Sequence, residues 1–425
     1  MRRFLEIFRL ELIAIVRTKT LAMLLAASVG WMLVFPYVVK GDGTAEGMRE
    51  MYVRYSLGGV FALLTVTLLA SATGALAKER AAKRLQLTLV RPVRYFTVAL
   101  GKTAAYAAVG SLVLAVASAL LALRTDLSVR CNHVFSPVMP TPREEALTRY
   151  DAYMKDPETP EAVKKAKKSV ILRILTQKAL DYYQTVATNE TATWSFLSIS
   201  NPQFPTPNTS SLSVRMRFTN QFEMRQELRG LFRFGNLEGT VSNITQAVLT
   251  VPLRRTGSAA EAEGKLSFRN LGGSALMLRP RKDLHLLTPA DAFGWNLLRA
   301  WLEMSAVLAL VIAFGMFLSA SLGRPVALFV AIVVLLVSEM SPSVVEQYPD
   351  SLETDRLDRI GLALSRAAAE ITHPISELSP LEALSKDECV ETREVVRTLL
   401  VDLAAIPLFL SLLAAFVIPR KQDDL

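Results

Sequence analysis

The chain alternates between long apolar runs and polar stretches, and the runs have the length that a bilayer sets. A helix needs about twenty apolar residues to cross the hydrocarbon core. Six runs fit: Leu21–Val39, Leu57–Ala77, Thr103–Leu123, Met304–Leu322, Pro325–Val337 with an extension to Met340, and Leu399–Ile418. The fifth is short but consists almost wholly of Val, Leu, Ile and Ala. Ahead of the first run, Phe4, Leu5, Phe8, Leu12, Ile13 and Val16 recur at helical spacing with Arg and Glu between them. That pattern predicts an amphipathic helix over 1–19 lying along the membrane surface; an ordinary polar flank is the plainer alternative. No small-x-small cleavage site follows Trp31–Tyr37, which disfavours a signal peptide.

Between the third and fourth runs the period changes. Pro142–Tyr153 and Pro160–Tyr183 read as helices, separated by a break at Asp156-Pro157. From Thr193 onward the chain alternates. Thr193–Ile199, Ser211–Phe218, Leu228–Phe234, Thr240–Pro252, Lys265–Asn270 and Ala275–Arg279 read as short strands with Gly, Pro and Asn between them. In SLSVRMRF, Leu212, Val214, Met216 and Phe218 face one way and Ser213, Arg215 and Arg217 the other. The expected fold is an α-helical membrane protein of six transmembrane helices. Inserted at 125–287 is an α+β domain, a helical hairpin followed by an antiparallel β-sandwich. A second polar segment, 341–397, carries an amphipathic stretch at Leu352–Ile371, with Leu357, Ile360, Leu364 and Ala368 on one face.

Charge orients this plan. Arg2, Arg3, Arg9, Arg17 and Lys19 precede the first run, and Arg324 separates the fourth from the fifth. Lys78, Arg80, Lys83, Arg84, Arg91, Arg94 and Lys102 crowd between the second and third, and Arg420 and Lys421 follow the last. The positive-inside rule places these clusters, and both termini, in the cytoplasm. Segments 125–287 and 341–397 then lie outside. The net charge of +9 owes much to the first of them, where basic residues outnumber acidic ones. Long translocated domains escape the charge rule, so this excess does not reverse the topology. A solvated basic face accounts for it; attraction to an anionic cargo or envelope component is the functional alternative. Nucleic acid is not an expected partner on that side.

Candidate chemistry is sparse. The two cysteines, Cys131 and Cys389, fall one in each outer segment. An oxidising compartment permits a disulfide between them, and sequence alone does not bring them together. His133, His285 and His373 have no metal-ligand spacing, and the sequons at Asn189, Asn208 and Asn243 matter only in a secretory pathway. Glu303, Glu339 and Asp402 stand at the outer ends of spans, and Arg299 is placed to pair with Glu303 at i,i+4. Gly101-Lys102-Thr103 has the ending of a phosphate-binding loop. Phe96, however, stands where such a loop needs its first glycine, so a nucleotide site is not expected there.

The stretch from Glu79, ERAAKRLQLTLVRPVRYFTVALGKTAAY, lies between the second and third runs. It resembles the signature of ABC-2 type transporter permeases, and most closely the type associated with nitrous-oxide reductase maturation. Glu79, Arg80, Leu85, Leu87, Leu89, Pro92, Val93, Leu100, Gly101 and Lys102 match that signature, while Lys83-Arg84 stand where the family usually has Gly-Thr. The resemblance implies the membrane subunit of an exporter in the bacterial cytoplasmic membrane, in contact with membrane lipid. A coupling helix at Lys83–Val90 would press Leu85 and Leu89 into a separate ATPase. Glu79, Arg80, Arg84, Leu87 and Pro92 complete the implied contact. ATP and Mg would be bound by that ATPase and not by this chain, which would itself be no enzyme. Two ATPases and two permeases, identical or paralogous, would form the working unit. Gly101 and Lys102 would mark the entry of the third span, with Lys102 snorkelling to the interface. The large outer domain lies outside the family's common pattern and would serve a cargo or an envelope partner. The same membrane part could instead act as a mechanotransmitter or anchor for extracytoplasmic machinery.

Overall fold

The apolar runs fold as helices, most of them longer than the run that specifies them. A computed structural model describes residues 2–38, 47, 50–81, 94–125, 129–140, 142–157, 160, 168–180, 182–196, 212–218, 227–244, 248–255, 264–347 and 379–420. Among these, four helices are long and apolar enough to cross a membrane: Tyr52–Glu79, Tyr95–Arg124, Phe293–Ser321 and Thr392–Val417. The helices Arg2–Arg17 (α1) and Thr20–Val38 (α2) meet at a bend of 62° and together would make a fifth span. The bend has a local cause. Lys19 takes a φ of 58°, a left-handed conformation that interrupts an L-residue helix, and the Thr18 hydroxyl turns back to the carbonyl of Ile15. The fifth apolar run forms a shorter apolar helix, Arg324–Val337, within α9.

The chain divides into two compact units. The helical unit draws on Met1–Cys131, Asp291–Pro342 and Ser365–Leu425. After α2 it contains a π-helical turn, Tyr52–Leu57, that leads into Gly58–Ala81 (α3), followed by Tyr95–Arg124 (α4). Later come Phe293–Ser321 (α8), Arg324–Gln347 (α9), Ser379–Ser385 (α10) and Thr392–Thr398 (α11). A second π-helical turn, Leu399–Ala405, joins α11 to Ile406–Arg420 (α12). The helix α8 is the hub: 83% of its apolar window is buried, against 22% for the last span. Close approach makes the hub possible. A Cβ at Gly315 would lie 2.8 Å from Leu69 Cδ1, so α3 packs on α8 where a side chain is missing.

The second unit includes Asn132–Ala290. It begins in β1 (Arg130–Phe135) and a helical pair, α5 (Pro142–Lys155) and α6 (Lys168–Leu180), with a small core of Ala146, Ile171, Leu172 and Leu175. Strands follow: β2 (Gln184–Val186), β3 (Thr191–Ser195), β4 (Ser213–Arg217), β5 (Glu227–Phe234) and β6 (Leu237–Ile244). Then come β7 (Val248–Pro252), β8 (Arg254–Arg255), β9 (Lys265–Asn270) and β10 (Leu276–Leu278). The short helix α7 (Pro280–Asp283) leads into β11 (Leu284–Ala292). One sheet runs β1-β11-β4-β7, another β3-β9-β5-β6-β8, and β10 pairs with β2. The registers are antiparallel. Val214 and Met216 of the first sheet and Phe232, Phe234, Leu266 and Phe268 of the second share one core. The Phe268 ring lies, tilted, 4.9 Å from Phe218 and 4.5 Å from Phe232, centroid to centroid. The alternation read in SLSVRMRF therefore sorts inside from outside as expected.

Several boundaries differ from the sequence reading. The run Thr240–Pro252 is two strands that belong to different sheets, because the chain crosses between layers within a single stretch of β-branched residues. The strands Arg130–Phe135, Gln184–Val186 and Leu284–Ala292 were not anticipated; each is stabilised by pairing with strands distant in sequence, which local pattern does not show. The third and fourth spans start early, at Tyr95 and Phe293 and not at Thr103 and Met304, where Val98 and Ala99 of the one and Phe293 and Leu297 of the other are buried in the helical core. The amphipathic stretch Leu352–Ile371 lies outside the described residues.

Phe268→Ala removes the ring that both sheets share. It is expected to lower the stability of the β unit by about 3–5 kcal/mol. Hydrogen-exchange protection of the β5 and β9 amides measures this, while exchange in α8 stays as in the parent chain.

Candidate functional site

The charges that matter in the helical unit converge on Lys102. The sequence reading placed this ammonium at an interface, snorkelling to water. The structure buries it two turns inside α4, with its side chain 5% exposed. Its Nζ lies 2.6 Å from Glu11 Oε2 on α1 and 2.8 Å from Glu79 Oε1 near the end of α3. Tyr106, four residues along the same helix, donates its hydroxyl to Glu11. An ammonium taken out of water costs several kcal/mol, and two facing carboxylates offset that cost. The geometry beside it is tight: a Cβ at Gly101 would meet Ile7 Cγ2 at 2.8 Å, so α1 rests directly on the α4 backbone. Gly101 serves the docking of α1 and not simply the entry of a span.

The end of α3 is fixed from the other side as well. The Ser319 hydroxyl of α8 accepts the backbone N–H groups of Leu76 and Ala77 at 3.1 and 3.0 Å, one turn before Glu79. Glu79 and Lys102 bracket the stretch that resembles a coupling loop, and their ion pair closes the base of that stretch. Arg84, Leu85, Leu87, Leu89 and Pro92 lie outside the described residues, as does the side chain of Arg80.

A second fastening sits beyond the far end of α4. Cys131 and Cys389 form a disulfide with Cα atoms 5.1 Å apart, so the pairing that sequence left open is made. Buried Asn296 of α8 reinforces it. Its Nδ2 donates to the Glu388 carbonyl at 2.7 Å, and its Oδ1 accepts from Val390 N–H at 2.8 Å, one residue either side of Cys389. Spacing pointed Arg299 toward Glu303. Its ion pair in the structure is with Asp291, at 2.8 Å, and its guanidinium lies 5.8 Å from the Trp295 ring.

Glu303 and Asp402 were expected near outer water. Glu303 is 8% exposed on α8 and Asp402 2% exposed on the π-helical turn Leu399–Ala405. Ionisable groups buried at membrane depth, and π-helical turns, both concentrate where a protein works. The side chain of Glu339 and all of His373 lie outside the described residues. Among the described residues no cluster of His, Cys, Asp and Glu could hold a metal ion. On α10, a hydrogen bond from Lys386 at 2.6 Å holds the Glu382 carboxyl below its ordinary pKa, against its partial burial.

Sequence reasoning missed Glu11, Tyr106, Ser319 and Asn296. For Glu11 a signal was present: Ile7, Glu11 and Ile15 fall on one i,i+4 line, and Ile15 is buried, so a carboxylate stood on the packed face of an amphipathic helix. The others carry no local mark.

Helices of this length and composition, joined to an antiparallel β-rich unit, define a class: a helical membrane protein that carries a β domain. Comparisons with protein-family models, with curated proteins and with solved structures returned no match.

Two outcomes follow from these fastenings. Lys102→Met leaves Glu11 and Glu79 facing each other, and is expected to destabilise the helical unit by about 3 kcal/mol, the low end for a buried pair because Glu79 keeps a third of its exposure. Adding Glu11→Gln and Glu79→Gln to Lys102→Met should recover most of the loss in a thermal melt. Replacing Cys131 and Cys389 by Ser should cost about 2–5 kcal/mol under oxidising conditions, and the difference from the parent should vanish once a reductant has opened the parent's bond.

Proposed function

We propose that the chain is the membrane-spanning permease subunit of an ATP-binding cassette exporter. Six spans, with both termini in the cytoplasm, carry the motion of a separate ATPase into the bilayer. The ATPase binds ATP and Mg and docks on the stretch between Glu79 and Lys102. A dimer of the chain, or of the chain with a paralogue, forms the path in the bacterial cytoplasmic membrane, and the β unit faces outward.

One observation supports this reading beyond the resemblance: the ion pair between Glu79 and Lys102, shared with Glu11. A force on the intervening stretch would reach α1, α3 and α4 together, because a buried ionic junction ties all three at the base of that stretch. An ordinary cytoplasmic loop has no need of such a junction.

The test is direct. Leu85→Asp with Leu89→Asp should abolish co-purification of the ATPase and its stimulated hydrolysis, while the chain still reaches the membrane. Unchanged association and stimulation would contradict the reading. The size of the β unit favours a second one, in which the membrane part transmits motion to extracytoplasmic machinery without passing a substrate. A sealed, tightly packed interface between protomers would support transmission; a continuous substrate-sized cavity would support transport.

A further inference from the structure

The five-stranded sheet has one face in the core and one in water. Along β5 the buried residues are Leu228, Gly230, Phe232 and Phe234, so Arg229, Leu231 and Arg233 point outward. On β9, Leu266 and Phe268 are buried and Lys265, Ser267 and Arg269 point outward. The register sets these two rows against each other. Leu231 stands opposite Arg269, Arg233 opposite Ser267, and the Leu271 N–H bonds to the Arg229 carbonyl.

Read along the strand direction, the cations come in the order Arg229, Arg269, Arg233, Lys265. They alternate between the two strands and advance two residues at each step. Two residues of strand rise about 6.7 Å and neighbouring strands lie about 4.8 Å apart. The result is a zigzag line with one positive charge roughly every 8 Å, and all four side chains are exposed. Two acids border the line: Glu238 of β6 pairs with Arg233 and stands opposite Arg254 of β8, and Glu227 precedes Arg229 by two residues on β5, so cations still outnumber acids along it.

The neighbours of the line decide what would lie on it. The outward row of β3 is Thr191, Thr193 and Ser195, all exposed hydroxyls that register against β9. Leu231 is half-buried, and no aromatic residue stands on the outward rows of β3, β5, β6 and β9. Among the described side chains of this face no exposed aromatic or large apolar group offers itself for insertion into a bilayer or for stacking bases. A zigzag line of cations flanked by hydroxyls suits a linear chain that carries both anions and sugar hydroxyls.

We propose that the outward face of the five-stranded sheet binds an extended anionic polysaccharide along the line Arg229, Arg269, Arg233 and Lys265. Carboxylate, phosphate or sulfate groups on the chain would engage the cations, and its hydroxyls would hydrogen-bond the threonine row. This deepens the proposed function by naming a partner for the β unit, and it rests on that reading only for the compartment in which the partner is met.

The full chain in nanodiscs of zwitterionic lipid supplies the test, with dextran sulfate as probe and neutral dextran as control. The parent should bind dextran sulfate in a salt-sensitive manner and should not bind dextran. Arg229→Gln with Arg269→Gln should weaken binding by about tenfold or more, since each removes a direct contact and a counterion-release contribution. Arg229→Lys with Arg269→Lys should stay within about threefold of the parent, which also shows that the face tolerates substitution. Lys155→Gln, which removes a charge on α5 away from the line, should change nothing. Equal weakening by Lys155→Gln, or no weakening by the paired glutamines, would overturn the proposal. So would oligothymidylate or anionic vesicles that bind as tightly and depend on the same two arginines. Leu85→Asp with Leu89→Asp, measured in parallel, should leave polysaccharide binding intact, so failure of the ATPase reading and failure of this one are read separately.

Discussion

One ammonium organises the helical unit. Lys102 sits in an apolar helix where water cannot solvate it, and a charge in that position is tolerated only if opposite charge comes to it. Both carboxylates arrive from elsewhere, 91 and 23 residues away in sequence. The amphipathic helix α1 must therefore lie against α4, and α3 must end beside the start of α4. Gly101 makes room for the first of these, and the Ser319 hydroxyl holds the second in place. The proposed role of the stretch between Glu79 and Lys102 depends on the same junction, since it is what would turn a local push into movement of three helices.

The other end of α4 is fastened by different chemistry. Lys102 and Arg124 are separated by about 33 Å of helix, and beyond Arg124 the constraint is covalent. Cys131 joins Cys389, and Asn296 grips the backbone on both sides of that cysteine. An ionic junction can yield and re-form as its surroundings change, whereas a disulfide reinforced by two buried hydrogen bonds holds fixed. That division suits a membrane unit in which one end responds and the other serves as an anchor.

Much of this was legible in the sequence, and the illegible part has a common cause. Apolar runs and the alternation of SLSVRMRF are local signals, and the helices and the β4 face follow them. Helix starts at Tyr95 and Phe293 are not local, because those first turns lie outside the long apolar runs and pack into the core through residues such as Val98 and Phe293. The strand Leu284–Ala292 is likewise made by its partners and not by its own pattern. Lys102 looked like an interface lysine because its counterions are remote, although Glu11 on the packed line of α1 was a readable hint. The cysteines showed that a bond was allowed, and only the fold brought their Cα atoms to 5.1 Å. The cation line on β5 and β9 needed the strand register, which no single-strand pattern contains.

The claim that Lys102 holds α1 and the end of α3 to the membrane bundle is tested most directly by hydrogen–deuterium exchange on the full chain and its Lys102→Met variant in lipid nanodiscs. Fast exchange should appear in α1 and in the last turns of α3 of the variant, with the amides of α8 and the β sheets protected as before. Unchanged protection of α1 and of the α3 end would contradict the account.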